Sequence, residues 1–245
     1  MEMLSISPRD KELLRERFSD DKALSEAIKR VESGEPLAYV IGEWYFFGLT
    51  FKLNKDCLIP RPDTEHTVEA AISRLPKNGR FIDLCSGSGC IAISILACRS
   101  DTSGTAVEIS SDAFSAITEN ASLNGVSDRL NAVNADIFEY DPAEKYDCVI
   151  SNPPYIRTDV VETLDSSVKD HEPRLALDGG ADGLRFYRHI LTAYRNTLSE
   201  NGCFIFEIGY DQRGEIISLS RELGYSFCAV TKDYGGNDRV AVIIP

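Results

Sequence analysis

Tyr146-Asp147-Cys148-Val149-Ile150-Ser151-Asn152-Pro153-Pro154-Tyr155-Ile156 couples a short apolar run to an Asn-Pro-Pro-aromatic segment. The run reads as a buried strand. Each Pro removes a backbone donor and fixes its own φ, and the residue before each Pro is pushed out of the helical region. The product is a stiff loop with free carbonyl oxygens and one amide side chain. It sits at the carboxyl edge of a sheet, where open α/β folds hold their ligands. Such a loop suits a planar NH2 group. Asn152 Oδ1 accepts one hydrogen, the Pro153 carbonyl accepts the other, and an aromatic ring packs on the plane. Standing alone the segment would be a plain tight turn; its surroundings reverse that reading.

Outward from this segment strands and helices alternate. The pattern predicts strands at 81–84, 104–109, 130–134, 146–151, 202–208, 225–231 and 239–244. It predicts helices at 89–97, 112–123, 183–199 and 211–223, the second stopped by Asn124-Gly125. Alternation of this kind implies a mainly parallel, doubly wound sheet. The last two strands are joined by a short Gly-Gly loop, which implies an antiparallel end. Before residue 80 the pattern changes. Leu13, Leu14, Phe18, Leu24, Ile28 and Val31 predict one or two amphipathic helices, stopped by Gly34-Glu35-Pro36. The stretch 44–51 reads as a β-hairpin. Ile59-Pro60-Arg61-Pro62-Asp63-Thr64-Glu65 is a stiff connector, with Asp63 or Thr64 expected to cap a helix running through about Leu75. The expected division is 1–62, a helical region plus hairpin, and 63–245, the main α/β domain.

Composition narrows the partners. The 245-residue chain is 43% hydrophobic, enough for a real core, and carries a net charge of −13. A protein living on nucleic-acid backbones shows a basic face, and no Lys/Arg-rich run occurs. Nucleic acid is therefore not expected. The seven Cys form no CxxC pair and lie mostly in apolar runs. They read as buried, reduced thiols of a cytosolic protein. His66, His171 and His189 are scattered, so no metal is expected. No apolar stretch approaches a membrane span, and the N-terminus lacks a signal-peptide core.

Asp83-Leu84-Cys85-Ser86-Gly87-Ser88-Gly89-Cys90-Ile91 lies between the first strand and helix of the main domain. Gly87 and Gly89 permit a sharp turn and close backbone approach to a ligand. A dinucleotide site would show a third Gly; Ala92 stands there and could replace it. The motif alone leaves NAD and S-adenosylmethionine open. Asp83 could meet a cationic amino group, and no Arg or Lys is nearby for a pyrophosphate, so S-adenosylmethionine is favoured. Glu108, at the second strand's end, can accept both ribose hydroxyls in either case. Asp136 is placed to receive an adenine amino group, with Ile137 or Phe138 on the ring. Alone Asp136 would read as a capping residue. The ordered set of Gly loop, acid, acid and Asn-Pro-Pro-Tyr after successive strands is what carries the reading.

With these residues in view, the chain resembles the HemK-type release-factor glutamine methyltransferases. The likeness runs from about Gly34 to Ile244. It rests on Glu35-Pro36-Leu37-Ala38-Tyr39, Phe46-Phe47-Gly48-Leu49, the 58–65 connector, 83–91, 151–156, the 172–180 and 183–187 stretches, and Glu207-Ile208-Gly209-Tyr210-Asp211-Gln212. Asn-Pro-Pro-Tyr alone is shared with other N-methyltransferases. The connector and the 172–180 stretch narrow it to this family.

The resemblance implies a Rossmann-like class I methyltransferase with a seven-stranded sheet. It implies methylation of the Gln side-chain amide in the Gly-Gly-Gln loop of bacterial peptide-chain release factors by a cytoplasmic monomer. Cys85, Ser86, Gly87, Ser88, Gly89, Glu108, Asp136 and Ile137 would hold S-adenosylmethionine, with Phe46 approaching from the hairpin. Asn152, Pro153, Pro154 and Tyr155 would hold the Gln, with Asn152 and Pro153 catalytic. The family usually has Gly where Cys85 stands, and a longer helical N-terminal domain than the residues before Gly34 provide.

A Gln amide nitrogen is a weak nucleophile, so placement and polarisation are the expected contribution, with no general base. Rival readings keep the same loop but change the acceptor: an amino group of nucleic acid, or a Gln of a ribosomal protein. A non-enzymatic reading is a cofactor-binding protein that has lost substrate docking. His171 is expected in a solvated loop. Glu172 reads equally as loop or channel lining, and Glu207 as a buried residue beside the site.

Overall fold

The structure, a computed structural model, describes residues 6–245; the first five residues of the expected 1–62 region lie outside the described residues. Two capped helices open it. Ser7 Oγ accepts the Asp10 amide at 3.1 Å ahead of α1 (Pro8–Arg17), and Asp20 Oδ2 accepts the Ala23 amide at 2.8 Å ahead of α2 (Asp21–Glu32). Gly34-Glu35-Pro36 stops α2, but Pro36 also starts a short helix, α3 (Leu37–Ile41), that sequence pattern does not predict. Ile6, Leu14, Ala27 and Val40 form the small apolar cluster among these helices.

The expected hairpin pairs β1 (Glu43–Phe46) with β2 (Leu49–Lys52). Phe47 and Gly48 at its tip both have positive φ, as a two-residue turn between right-twisted strands requires. A 3-10 turn (Pro62–Thr64) then runs directly into α4 (Glu65–Arg74). Neither Asp63 nor Thr64 caps that helix by its side chain, because the preceding residues are already helical; Asp63 pairs with Arg239 and Thr64 meets Asn152 instead.

The main domain alternates as predicted: β3 (Arg80–Leu84), α5 (Cys90–Cys98), β4 (Ser103–Glu108), α6 (Ser111–Leu123), β5 (Leu130–Asn134) and β6 (Tyr146–Ser151). After the short α7 (Thr158–Val161) and α8 (Ser166–Lys169) come α9 (Arg185–Ala193), β7 (Leu198–Glu207), α10 (Arg213–Glu222), β8 (Phe227–Lys232) and β9 (Asp238–Ile244). The helix expected over 183–199 ends early, and β7 begins four residues sooner than predicted. Tyr194, 1% exposed, breaks the helix as its hydroxyl donates to the Ile137 carbonyl, and Leu198 already pairs with Tyr146.

The seven strands lie in the order β5-β4-β3-β6-β7-β9-β8. All pairs are parallel except those of β9, which runs antiparallel to β7 and β8 and gives the expected antiparallel end. The chain winds from β3 outward through β4 and β5, then returns to β6 on the other side. The crevice at that reversal opens at the carboxyl ends of β3, β4 and β6. The hairpin, α4 and α5 cover one face of the sheet through Phe46, Phe51, Val68 and Ile95; α9 and α10 cover the other through Tyr187, Ile190 and Ile216. The hairpin is tied on by Asn120 of α6, which accepts the Lys52 amide at 2.6 Å and donates to the Lys52 carbonyl at 3.0 Å. The expected burial of the cysteines holds for Cys57, Cys148 and Cys203; Cys85, Cys90 and Cys228 are half-buried, and Cys98, at the end of α5, is exposed. No described helix is long and apolar enough to cross a membrane.

Candidate active site

A cleft open to solvent on one side lies at the crevice between β3 and β6. The loop after β3 forms its floor. Cys85 has φ +60°, a left-handed conformation that costs a non-glycine residue energy. Ser86 is fastened twice: its amide donates to the Val107 carbonyl at 3.1 Å and its hydroxyl to Asp83 Oδ2 at 2.6 Å. Asp83 is fully buried beneath this loop and does not line the cleft, so its geometry is that of a loop anchor rather than a direct ligand. Its Oδ1 has no partner among the described residues, and burial raises its pKa to about 7.

Glu108 ends β4 at the same edge, 7% exposed. Oε2 accepts the Gly87 amide at 2.8 Å and Oε1 the Ser110 amide at 2.9 Å. Burial raises its pKa, and the Ser110, Gly87 and Ile109 amides oppose the rise. Each oxygen keeps a lone pair for further donors. Asp136, past β5, also lines the cleft; its Oδ1 accepts the Phe138 amide at 2.9 Å, the turn-forming bond that its sequence reading allowed. Ile137 and Phe138 line the wall beside it. Phe138 stacks on His189 with ring centroids 4.2 Å apart, and the Arg185 guanidinium lies over the Phe138 ring at 4.7 Å.

The Asn-Pro-Pro-Tyr loop leaves β6 where Ser151 Oγ donates to the Leu84 carbonyl at 2.5 Å, locking β6 to β3. Asn152 and Pro154 face the cleft. Asn152 Nδ2 donates to Thr64 Oγ1 at 3.4 Å. Pro153 is buried behind them, and Tyr155 points away, its hydroxyl donating to Glu207 Oε1 at 3.3 Å. The cleft thus gathers Cys85, Ser86, Gly87, Ser88, Glu108, Asp136, Ile137, Asn152 and Pro154. Phe46, Asp83, Gly89, Pro153 and Tyr155 stand outside its lining. Phe46 is 3% exposed, packed with Phe47 and Phe51 in the core, because the hairpin docks through its apolar face.

Gln212 and the 177–179 backbone hold the site without having been singled out for it from sequence. Gln212 Nε2 donates to the Tyr155 carbonyl at 3.0 Å, while its Oε1 accepts the Gly209 amide at 2.9 Å. Ile156 and the 177–179 backbone exchange bonds of 3.0 and 2.7 Å, clasping the loop from the other side. Glu172, 5% exposed, pairs with Arg61, which lines the cleft. The dense Gly residues at 179, 180 and 183 were the available signal of close backbone approach. His171 is half-buried at the edge of this segment. The cleft's carboxylates, Asp56, Glu108 and Asp136, outnumber its guanidiniums, Arg61 engaged by Glu172 and Arg185 over the Phe138 ring, a balance that favours a cation.

Residues 65–180 match the family described as Methyltransferase small domain. A release factor glutamine methyltransferase of Agrobacterium fabrum is 41% identical over 219 residues, covering 87% of this chain and 75% of its own length. One from Fusobacterium nucleatum is 37% identical over 240 residues, covering 97% of this chain and 65% of its own. Among solved structures, a methyltransferase from Pyrococcus furiosus shares the fold with a TM-score of 0.63 at 18% identity, covering 89% of this chain and 97% of that one.

Proposed function

The chain belongs to the family of release factor glutamine methyltransferases, and from that premise we propose that its cleft transfers a methyl group to the side-chain amide nitrogen of the Gln in a release factor's Gly-Gly-Gln loop. The observation that carries this is the presence of Asn152 and Pro154 in one cleft with Glu108 and the 85–88 loop.

The site suits S-adenosylmethionine, a cation. The 85–88 backbone would receive its methionine end, Glu108 its ribose hydroxyls, and Asp136 with Ile137 its adenine. When bound, it supplies a methyl group on a sulfonium, already a strong electrophile. The protein's own task is then placement. Asn152 Oδ1 and the Pro153 carbonyl accept the two amide hydrogens of the Gln. That aims the nitrogen lone pair at the methyl and opposes its delocalisation. Orientation of this kind supplies roughly 7–11 kcal/mol in favourable cases. The same acceptors stabilise positive charge growing on nitrogen. The proton leaves after transfer, to a carbonyl or water. The Tyr155 hydroxyl braces the loop through Glu207.

The test is mass spectrometry of a Gly-Gly-Gln release-factor peptide incubated with the protein and S-adenosylmethionine. One added methyl on the Gln, absent with Asn152→Ala while cofactor binding persists, is the expected result. No methyl on the peptide, with the cofactor bound, would overturn the substrate reading. Equal loss of binding and transfer in Asn152→Ala would overturn the role of Asn152.

A further inference from the structure

Arg185 is the first residue of α9; it is exposed and lines the cleft beside Asp136, Ile137 and Phe138. A cation there faces the positive end of the helix dipole. No carboxylate among the described residues pairs with it: Asp182, just before the helix, is taken by Arg188 at 2.8 Å. What holds Arg185 is an aromatic surface. Its guanidinium carbon lies 4.7 Å from the centroid of the Phe138 ring and 5.6 Å from that of Phe186. Its stem packs on Gly180, where a β-carbon would lie 3.2 Å from that of Arg185.

Phe138 is fully engaged by its neighbours. His189 stacks on it with centroids 4.2 Å apart and 30° between the planes, and Phe186 meets it at 5.4 Å and 66°. Groups centred 4.2 and 4.7 Å from one ring centroid take opposite faces, because neither leaves room for the other on its own side. His189 Nε2 also donates to the Ile137 carbonyl at 2.9 Å, which joins the turn and the stack into one wall. Phe138 therefore has no bare face for a ligand. The plane that this wall offers the cleft is the outer face of the Arg185 guanidinium.

We propose that Arg185 is a specificity-determining residue for the cofactor: its guanidinium, backed by Phe138, is the plane on which the purine of S-adenosylmethionine lies. This rests on the reading of the cleft as the S-adenosylmethionine site and names the group that recognises its base. Of the two side chains expected on the adenine, Ile137 keeps an apolar contact and Phe138 acts through Arg185. A neutral aromatic ring suits this position better than an anion does, because Glu108 and Asp136 line the same cleft and repel negative charge. A guanidinium is planar, delocalised and weakly hydrated, so it stacks on π faces where an ammonium does not.

The test is calorimetry with S-adenosylhomocysteine, the product of the reaction, and with methylthioadenosine, which keeps the purine and ribose but lacks the amino-acid end. Arg185→Ala should raise both Kd values by the same factor, about 5- to 30-fold, the scale of one lost stacking contact. Arg185→Lys keeps the charge without the plane and should bind both ligands nearly as weakly as Arg185→Ala. An unchanged Kd in Arg185→Ala, an Arg185→Lys variant that binds like the wild type, or a loss for S-adenosylhomocysteine that methylthioadenosine does not share would overturn the inference. A raised peptide KM with both Kd values unchanged would assign Arg185 to the protein substrate and overturn it as well. Should Arg185→Ala not fold, Arg185→Lys decides. These measurements read binding alone. A wild-type protein that binds the cofactor without methylating the peptide would overturn the functional reading, and the two variants would still decide this one; a wild-type protein that binds neither ligand would overturn both.

Discussion

Glu108 Oε2 accepts the amide of Gly87 at 2.8 Å, so the carboxylate ending β4 holds the loop after β3 against itself. The group proposed to read the cofactor's ribose is also the clasp of the loop proposed to hold its methionine end. Glu108→Ala should therefore weaken S-adenosylmethionine binding by about 10- to 100-fold, the loss expected when a buried charged acceptor is removed. Glu108→Gln should not rescue it, because its NH2 would face the Gly87 or Ser110 amide, donor against donor. Titration calorimetry checks this; an unchanged Kd in both variants removes Glu108 from the site.

Gly183 has φ +72°, and a β-carbon there would lie 2.5 Å from the Tyr155 carbonyl oxygen and 2.8 Å from Gln212 Nε2. Gly183→Ala should cost about 2–4 kcal/mol through backbone strain and a displaced Gln212. That corresponds to a Tm lower by roughly 5–15 °C. Gly214 in α10 is the control, since nothing lies within 4 Å of its would-be β-carbon. Gly214→Ala should hold or raise Tm. Thermal melts that fail to separate the two would show that the clasp on Tyr155 is loose.

Cys85 sits at φ +60°, where a glycine carries no steric penalty. Cys85→Gly should stabilise the protein by about 1 kcal/mol, the left-handed penalty less the extra freedom of the unfolded chain. Cofactor affinity should be kept. A lower Tm would mean that packing of the thiol against the apolar cluster on that face of the sheet outweighs the strain relieved.

Asp83 makes stability depend on pH in the direction opposite to a salt-bridged carboxylate. Burial raises its folded pKa from 3.8 to about 7, so between these values the folded state binds more protons than the unfolded one. Its contribution is fully present below the unfolded pKa and is lost as pH rises through about 7. Asp83→Asn keeps an acceptor for the Ser86 hydroxyl and carries no charge. The variant should match the wild type in Tm near pH 4 and exceed it near pH 8. Parallel Tm curves would show that Asp83 is not protonated in the fold.

What the sequence by itself determined is whatever local pattern controls. The apolar runs at 130–134 and 146–151 became strands at those residues, because strand period and burial are written in the residues themselves. The glycine-bearing loop, Glu108, Asp136 and Asn152 came together because parallel strands bring all their carboxyl ends to one edge. Only the tertiary structure decided where side chains on those loops point. Phe46 was expected toward the cofactor and instead fills the core under the docked hairpin. Tyr155 was expected on the substrate plane and instead reaches Glu207, a residue 52 positions away. Asp83, read as able to meet a cationic amino group, is buried under its own loop and accepts the Ser86 hydroxyl. The clasp of Gln212 and Gly183 on Tyr155 joins three separate stretches of chain. Strand identity is a property of neighbouring residues, whereas side-chain direction in a stiff loop follows the packing and hydrogen-bond partners supplied by distant segments, and no local pattern encodes those.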